Sequence, residues 1–472
     1  MGRPTSRRGG ALCLFAVVAL IAGACSNASS GSKGSSGQTS GGPVTTYAGT
    51  DFSKHQTVTA PGVTSTEIHV GSITSKTNPL GTNVGEFNDG LKGYFDTINA
   101  KGGVWGRKLK LTSERDDQTG QNTTATEAML TQDNVYAVFE AVELMTGAPR
   151  LAAAGIPSFG WNINAEWAGP KNFFPNIAPI CFNCSDGAFG RLGPWVAQQV
   201  HAHRVALLAY NVPQSADAAK GFATSFKQFG SDVGAQVVYE DTSLPFGGTD
   251  YSAQVSQMKS KGVDLLATAM DYNGDEAVAK EMQKQGISDK VTFVHPNLYD
   301  PAFVKANAKD LEGGIVFVDI DAFEHNPQNA AVKQFVDYAG AHGLKLDEIT
   351  AQGWIAGLQF VSALKAAGPN FTWANLTNAW NTEKWYTAGG WVAPIDWTFQ
   401  HTDPAKGPAY QSQFRECANF VRIHSGKFEP IWDAGGSKPW VCFNGQKPNV
   451  WQKPVNLSFA TNKPFNIAAV QH

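Results

Sequence analysis

Two α/β lobes, each built on a parallel sheet, are the architecture this sequence predicts. Two observations support it. From about residue 61, short apolar runs of strand length alternate with amphipathic stretches of about ten to fifteen residues. Such alternation means right-handed β-α-β units and sheets covered on both faces. The rhythm then runs twice, with a loop rich in Pro and Cys (residues 170–193) between the two passes.

In the first pass, residues 68–73 (IHVGSI) read as a strand. Val84, Phe87, Leu91, Tyr94 or Phe95, and Ile98 follow at three-to-four spacing, a helix that closes at Lys101-Gly102-Gly103, where Gly suits the cap. Residues 108–112 (KLKLT) form the next strand. Helix 121–131 leads to strand 135–139, and helix 145–154 leads to a short strand at 156–159. The second pass opens with the buried-strand run 205–209 (VALLA). Helix 216–229 ends at Gly230, strand 236–240 precedes the loop DTSLPFGGTD, and helix 251–260 ends near Gly262. Strand 263–269, helix 274–285 and strands 291–294 and 314–318 complete it. Helix 351–367 presents Trp354, Leu358, Val361 and Leu364 on one face, and Pro and Asn crowd an irregular tail, 446–472.

The amino terminus sets the address. Arg3, Arg7 and Arg8 precede an apolar run from Ala11 to Ile21 that breaks at Ala22-Gly23-Ala24-Cys25. A basic head, a short apolar stretch and small residues at a break describe a secretory signal. The run falls short of the ~20 residues a spanning helix needs. A cysteine directly after the break, followed by a Ser/Gly-rich stretch, resembles the lipobox of bacterial lipoproteins, with Ala22 where Leu or Val is usual. The resemblance implies that residues 1–24 are removed, that Cys25 carries lipid, and that 25–60 is a flexible tether. The protein is then expected on the outer face of the cell membrane.

Residues 1–24 hold three of the 37 basic residues and none of the 40 acidic ones, so the remainder carries a net charge of −6. With no basic stripe, no nucleic-acid partner is expected. Beyond Cys13 and Cys25 four cysteines remain, Cys181, Cys184, Cys417 and Cys442, and outside the cytoplasm an even number reads as disulfides. Three pairings are possible. A hairpin between Cys417 and Cys442 brings those two together and leaves Cys181 with Cys184. A zinc site lacks a second CxxC and a nearby His, and CFNC sits in a loop rather than opening a helix as a redox motif does.

Catalytic signatures are missing: no GxSxG, no GxxxxGK[ST], no HExxH and no EF-hand loop. Asp116-Asp117 is a carboxylate pair, but adjacent strand residues point to opposite faces, so it reads as a solvated strand end. No metal or cofactor is expected.

The strings GVTSTEIHVGSITS and GYFDTINAKGGVWGRKLKLTSERDDQTG closely resemble the start of the leucine/isoleucine/valine-binding family, the extracytoplasmic solute receptors of ABC importers. TDYSAQVSQMKSKGVDLL, GWIAGLQFVSALKAAG and HSGKFEPIW resemble later parts of the same family, so the likeness spans roughly residues 61–443. It implies a type I periplasmic-binding fold, two doubly wound lobes joined by three crossovers. Lobe 1 would comprise 61–182 and about 326–400, and lobe 2 would comprise 183–325 and about 401–445. It also implies a small-molecule ligand in the cleft, an ABC permease partner and a monomer. A sensor of the same fold without a transporter and an exported enzyme are the alternatives.

In open parallel sheets ligands sit beyond the carboxyl ends of the strands. The loops so placed carry Ser75, Thr77, Glu143, Thr146, Trp161, Asn162, Asn164, Tyr210, Gln214, Asp271, Tyr272, Asn297 and Tyr299, the expected ligand contacts. They depart from the family's amino-acid binders. The Ser/Thr run that holds the ligand carboxylate is replaced by Glu140 to Thr146 (EAVELMT). The Ala-Ala-Thr stretch is replaced by Asn162-Ile163-Asn164, and the Glu that pairs with the ligand ammonium by Asn297. The aromatic position is kept as Tyr272. A zwitterionic amino acid would therefore bind poorly unless Asp271 or Glu143 takes the ammonium. An amide, an aromatic or aliphatic acid, or a polyol fits the changed loops.

Overall fold

The computed structural model of the protein describes residues 50–177, 190–401 and 416–470, except 446, 448 and 462. Cys25, Cys181 and Cys184, with the signal, lipidation and pairing expected of them, lie outside these residues.

The first sheet is fully parallel, in the order β2-β1-β3-β4-β5. Its strands are β1 (Glu67–Thr74), β2 (Lys108–Asp116), β3 (Val138–Ala141), β4 (Ser158–Gly160) and β5 (Phe173–Pro175). Between them run α1 (Glu86–Ala100), α2 (Asn122–Gln132) and α3 (Ala148–Ala154). The second sheet begins after α4 (Leu192–Gln199). β6 (Arg204–Tyr210), β7 (Gln236–Leu244), β8 (Leu265–Ala269), β9 (Thr292–His295) and β10 (Ile315–Val318) are its parallel part. α5 (Pro213–Val233), α6 (Ser252–Ser260), α7 (Tyr272–Lys284), α8 (Pro301–Ala306) and α9 (Ala308–Leu311) connect them. β6 is buried from Val205 to Tyr210, the continuous apolar run of a strand covered on both faces.

The second lobe is more than parallel. β11 (Glu416–His424) lies antiparallel to β10 and carries β12 (Lys427–Pro430), β13 (Trp440–Phe443) and β14 (Val455–Leu457) as antiparallel additions. The turn from β11 to β12 places Ser425 and Gly426 at φ 51° and 71°, as a tight two-residue hairpin requires. Cys417 and Cys442 are register partners across β11 and β13 and are joined by a disulfide, the expected pairing. The tail, expected to be irregular, supplies β14.

The chain leaves the first sheet after residue 177 and enters the second lobe by residue 190. It returns after Val318 and crosses again between 401 and 416, three passages in all. Between the last two run α10 (Ala330–His342), α11 (Glu348–Ala367), α12 (Trp373–Trp380) and α13 (Trp397–Gln400). α11 packs on α1 so closely that a Cβ on Gly353 would stand 1.8 Å from the Phe87 carbonyl oxygen, and one on Gly90 1.8 Å from that of Thr350. The sequence assigns α11 one apolar face, but it is buried all round from Thr350 to Leu364. α5 runs past Gly230 and stops at Gly234, whose φ of 72° is the left-handed cap.

The entry to the second lobe is fixed by a buried ion pair. Arg191 donates to Glu416 at 2.6 Å, with both side chains at most 2% exposed, and its guanidinium lies over the Phe229 ring. Such a pair specifies geometry more than it adds stability.

Candidate functional site

A cavity of about 140 Å³ lies beyond the carboxyl ends of strands from both sheets. One wall comes from the loops after β1, β3 and β4 and from the start of α11. The other comes from the loops after β6, β7, β8, β9 and β10 and from the start of α5. Hydrogen bonds span the two walls. Gln214 Nε2 donates to the Glu143 carbonyl at 2.5 Å, and Asn273 Nδ2 to the Leu80 carbonyl at 2.8 Å.

Nine of the thirteen expected residues line this cavity: Glu143, Trp161, Asn162, Tyr210, Gln214, Asp271, Tyr272, Asn297 and Tyr299. Four do not. Ser75 is fully buried one layer behind, donating to Asp117 at 2.8 Å and accepting from the Glu143 backbone N–H at 2.9 Å, so it shapes the loop that carries Glu143. Asn164 is also buried and donates to the Val142 carbonyl at 2.9 Å. Thr77 and Thr146 are exposed. The loop backbone turns each outward, with Thr77 N–H donating to Asp116 at 3.1 Å and the Thr146 hydroxyl accepting from that of Thr123 at 3.0 Å.

Asp117 is not the solvated strand end that the sequence suggests. It is fully buried and accepts from the Ser75 hydroxyl and from the Thr119 N–H at 2.9 Å, and burial pushes its carboxyl up. Alternation alone cannot see that the loop after β1 folds back over the end of β2.

Sequence reasoning missed Phe246, Asp319, Lys345, Asp347 and Glu348, all of which line the cavity. Asp347 had a local signal, an N-cap residue before the apolar α11; it accepts from the Thr350 N–H at 2.7 Å. Lys345 reaches Glu86, Asp300 and Asp347 at 2.9–3.0 Å, and the first two of these contacts join segments far apart in sequence.

The electrostatics of the cleft are acidic. Burial, then the charges of Asp271 and Asp117, push the Glu143 carboxyl up to about 8. Burial pushes Asp319 up to about 7, and burial with the Asp319 charge pushes Glu348 up to about 8. Asp271 is raised by burial although the Tyr210 hydroxyl donates to it at 2.5 Å. It also caps α7, accepting from the Asn273 N–H at 2.9 Å. Tyr299 spends its hydroxyl on structure: it donates to Glu324 at 2.5 Å and accepts from the Phe323 N–H at 2.6 Å. Among the described residues no group of three or more His, Cys, Asp or Glu is arranged to hold a metal ion.

Solved structures share this architecture. An ABC-transporter solute-binding protein from R. palustris in complex with benzoate is 16% identical, with a TM-score of 0.59 over 77% of this chain and 95% of its own. A fatty acid ABC transporter substrate-binding protein from Thermomonospora curvata is 18% identical, with a TM-score of 0.62 over 86% and 96%. A branched-chain amino acid ABC transporter protein from Thermus thermophilus with bound valine is 14% identical, with a TM-score of 0.61 over 83% and 96%. No curated protein sequence is significantly similar. The family model described as periplasmic binding protein matches residues 67–423, which hold both sheets up to β11 and every cavity-lining residue. The two parallel-sheet lobes, the three passages between them and this match over most of the chain agree: the protein belongs to the periplasmic binding protein family.

Proposed function

We propose that this chain is an extracytoplasmic solute receptor, anchored through lipid on Cys25, that takes a small organic molecule between its lobes and delivers it to an ABC importer. The observation that carries the reading is the cavity at the carboxyl ends of both sheets, walled from both lobes by aromatic and carboxylate side chains. A site divided between two lobes gives a ligand contacts with each, and so favours the closed state over the open one. The solute-binding proteins of similar fold, with benzoate, fatty acid or valine in their descriptions, support capture of a small molecule. The export signal with Cys25 at its break supports the location.

Thermal-shift screening of the purified protein against small metabolites tests capture. A ligand at a hundred times its dissociation constant should add ~2.7 kcal/mol of stability. A chain that no metabolite stabilises is not a solute receptor. The anchor has its own test: Cys25→Ser should move the protein from the membrane fraction to the medium or leave it unprocessed, and unchanged membrane retention removes the lipid from the account.

A further inference from the structure

The reading of the cleft as a ligand site leaves open the charge of its ligand, and the walls bear on that charge. Six carboxyl groups line the cavity against one ammonium, Lys345, and that ammonium is already held by Glu86, Asp300 and Asp347. Most places where an anion could dock are taken by the chain itself. The helix ends facing the cavity are those of α5, α7, α8 and α11. The last three are each capped by their own aspartate, Asp271, Asp300 and Asp347, which accept the free backbone N–H groups, while the α5 end at Val212 has no side-chain cap. A ligand carboxylate would therefore meet occupied N–H groups at three of these four helix ends, and surplus negative charge.

The remaining carboxyl groups stand in two pairs, and each pair bridges the lobes. Glu143 of the first lobe feels the charge of Asp271 of the second, and Glu348 of the first feels that of Asp319. Glu348 is only 7% exposed yet lines the cavity. Among the described residues no cationic side chain pairs with Glu143, Asp319 or Glu348. Aromatic rings line the same cavity, Trp161, Tyr210, Phe246 and Tyr272 among them, surfaces that attract organic cations.

We infer that the cleft takes an organic cation, an amine or quaternary ammonium on an apolar or aromatic body with no carboxylate of its own, and that this cation offsets the carboxyl pairs facing each other across the lobes. This rests on the cleft being a ligand site. The groups facing Glu143 are Asp271 and Asp117, and those facing Glu348 are Asp319, Asp347 and the Gln352 amide. A cation favours their ionised form, so its binding releases protons and tightens as pH rises. A neutral or anionic ligand accepting hydrogen bonds from protonated carboxyls does the reverse.

Calorimetry and thermal shift on the purified full chain decide the matter with four organic cations (benzylamine, putrescine, agmatine and choline), two carboxylate-bearing probes (benzoate and leucine) and neutral benzyl alcohol. At least one cation should bind, with affinity rising at least tenfold from about pH 6 to about pH 8.5 as the carboxyls ionise. Glu143→Gln and Glu348→Gln, which keep the shape of each side chain, should each weaken that binding at least tenfold. Tighter binding of benzoate, leucine or benzyl alcohol than of every cation, or cation affinity that falls with pH, overturns the charge assignment and leaves the solute receptor standing. Silence of all seven probes together with an unresponsive metabolite screen overturns both.

Discussion

Tyr272 opens α7 half-buried, its ring packed on Phe303 at 4.6 Å between centroids while it lines the cavity. Burial pushes its hydroxyl up to about 12, so it meets a ligand as a neutral phenol. Tyr272→Ala removes an aromatic contact from the cleft and little from the core. Once a ligand is known, we expect its affinity to fall by ~1–3 kcal/mol, with the melting temperature of the free protein moving by only a few degrees. Isothermal titration checks the first and a thermal scan the second; unaltered affinity would take Tyr272 out of the site. Its neighbour Asp271 illustrates a different lesson. The sequence offers it as a ligand contact, but the fold also spends it as the cap of α7 and the acceptor of the Tyr210 hydroxyl. One residue can be legible as a site position while its competing partners are not, because those partners arrive from other strands.

At the scale of elements, helix positions follow from periodicity and helix ends less well. The spacing of Val84 to Ile98 gives α1, and Gly102 and Gly103, at φ 103° and 86°, end it as expected. Gly230 misleads, because it is inside α5 for close approach, 2.3 Å from the Ala235 carbonyl oxygen for an added Cβ, and Gly234 does the capping. Gly353 is the same kind of glycine. On α11 it lets α1 approach backbone to backbone, and no rotamer change can clear a carbonyl from the space of an added methyl. Gly353→Ala should therefore destabilise the protein by ~1–3 kcal/mol, the usual range for overpacking. This outweighs the better helix propensity of Ala, which favours it by ~1 kcal/mol. Urea unfolding measures the balance, and a more stable variant would mean that the two helices sit further apart.

For the whole molecule, buried carboxyls govern the dependence of stability on pH. Burial first, then neighbouring carboxylates, hold Glu140, Glu143 and Glu348 at about 8, and burial holds Asp319 at about 7. In the unfolded chain such groups ionise near pH 4. Between about pH 6.5 and pH 8.5 the folded state therefore holds protons that the unfolded state has lost, and stability falls as pH rises. His325 adds in the same direction. Burial opposes its charge, but Asp321 and Asp433 at 2.8 and 3.2 Å outweigh this and raise it, so its contribution is present at low pH and lost as pH rises. One proton per molecule amounts to ~1.4 kcal/mol per pH unit, so a decline of at least ~1 kcal/mol is expected over this window. Urea midpoints measured along it should fall; a rise would mean that these carboxyls are ionised in the folded state.

The chain's own pattern determined the α/β class, the two passes of the rhythm, most strand and helix positions, the Cys417–Cys442 pairing and the set of loops that surround the cleft. These are local or periodic facts: a buried parallel strand must read as a short apolar run, and a ligand at the carboxyl ends of strands meets the loops that follow them. Tertiary structure alone decided the rest. It turned Thr77 and Thr146 outward and buried Asp117. It extended the second sheet with four antiparallel strands and set Asp319 and Glu348 facing one another across the lobes. Each of these depends on segments far apart in sequence meeting in space, and the charge of the cleft is a sum over such meetings that no window of the sequence contains.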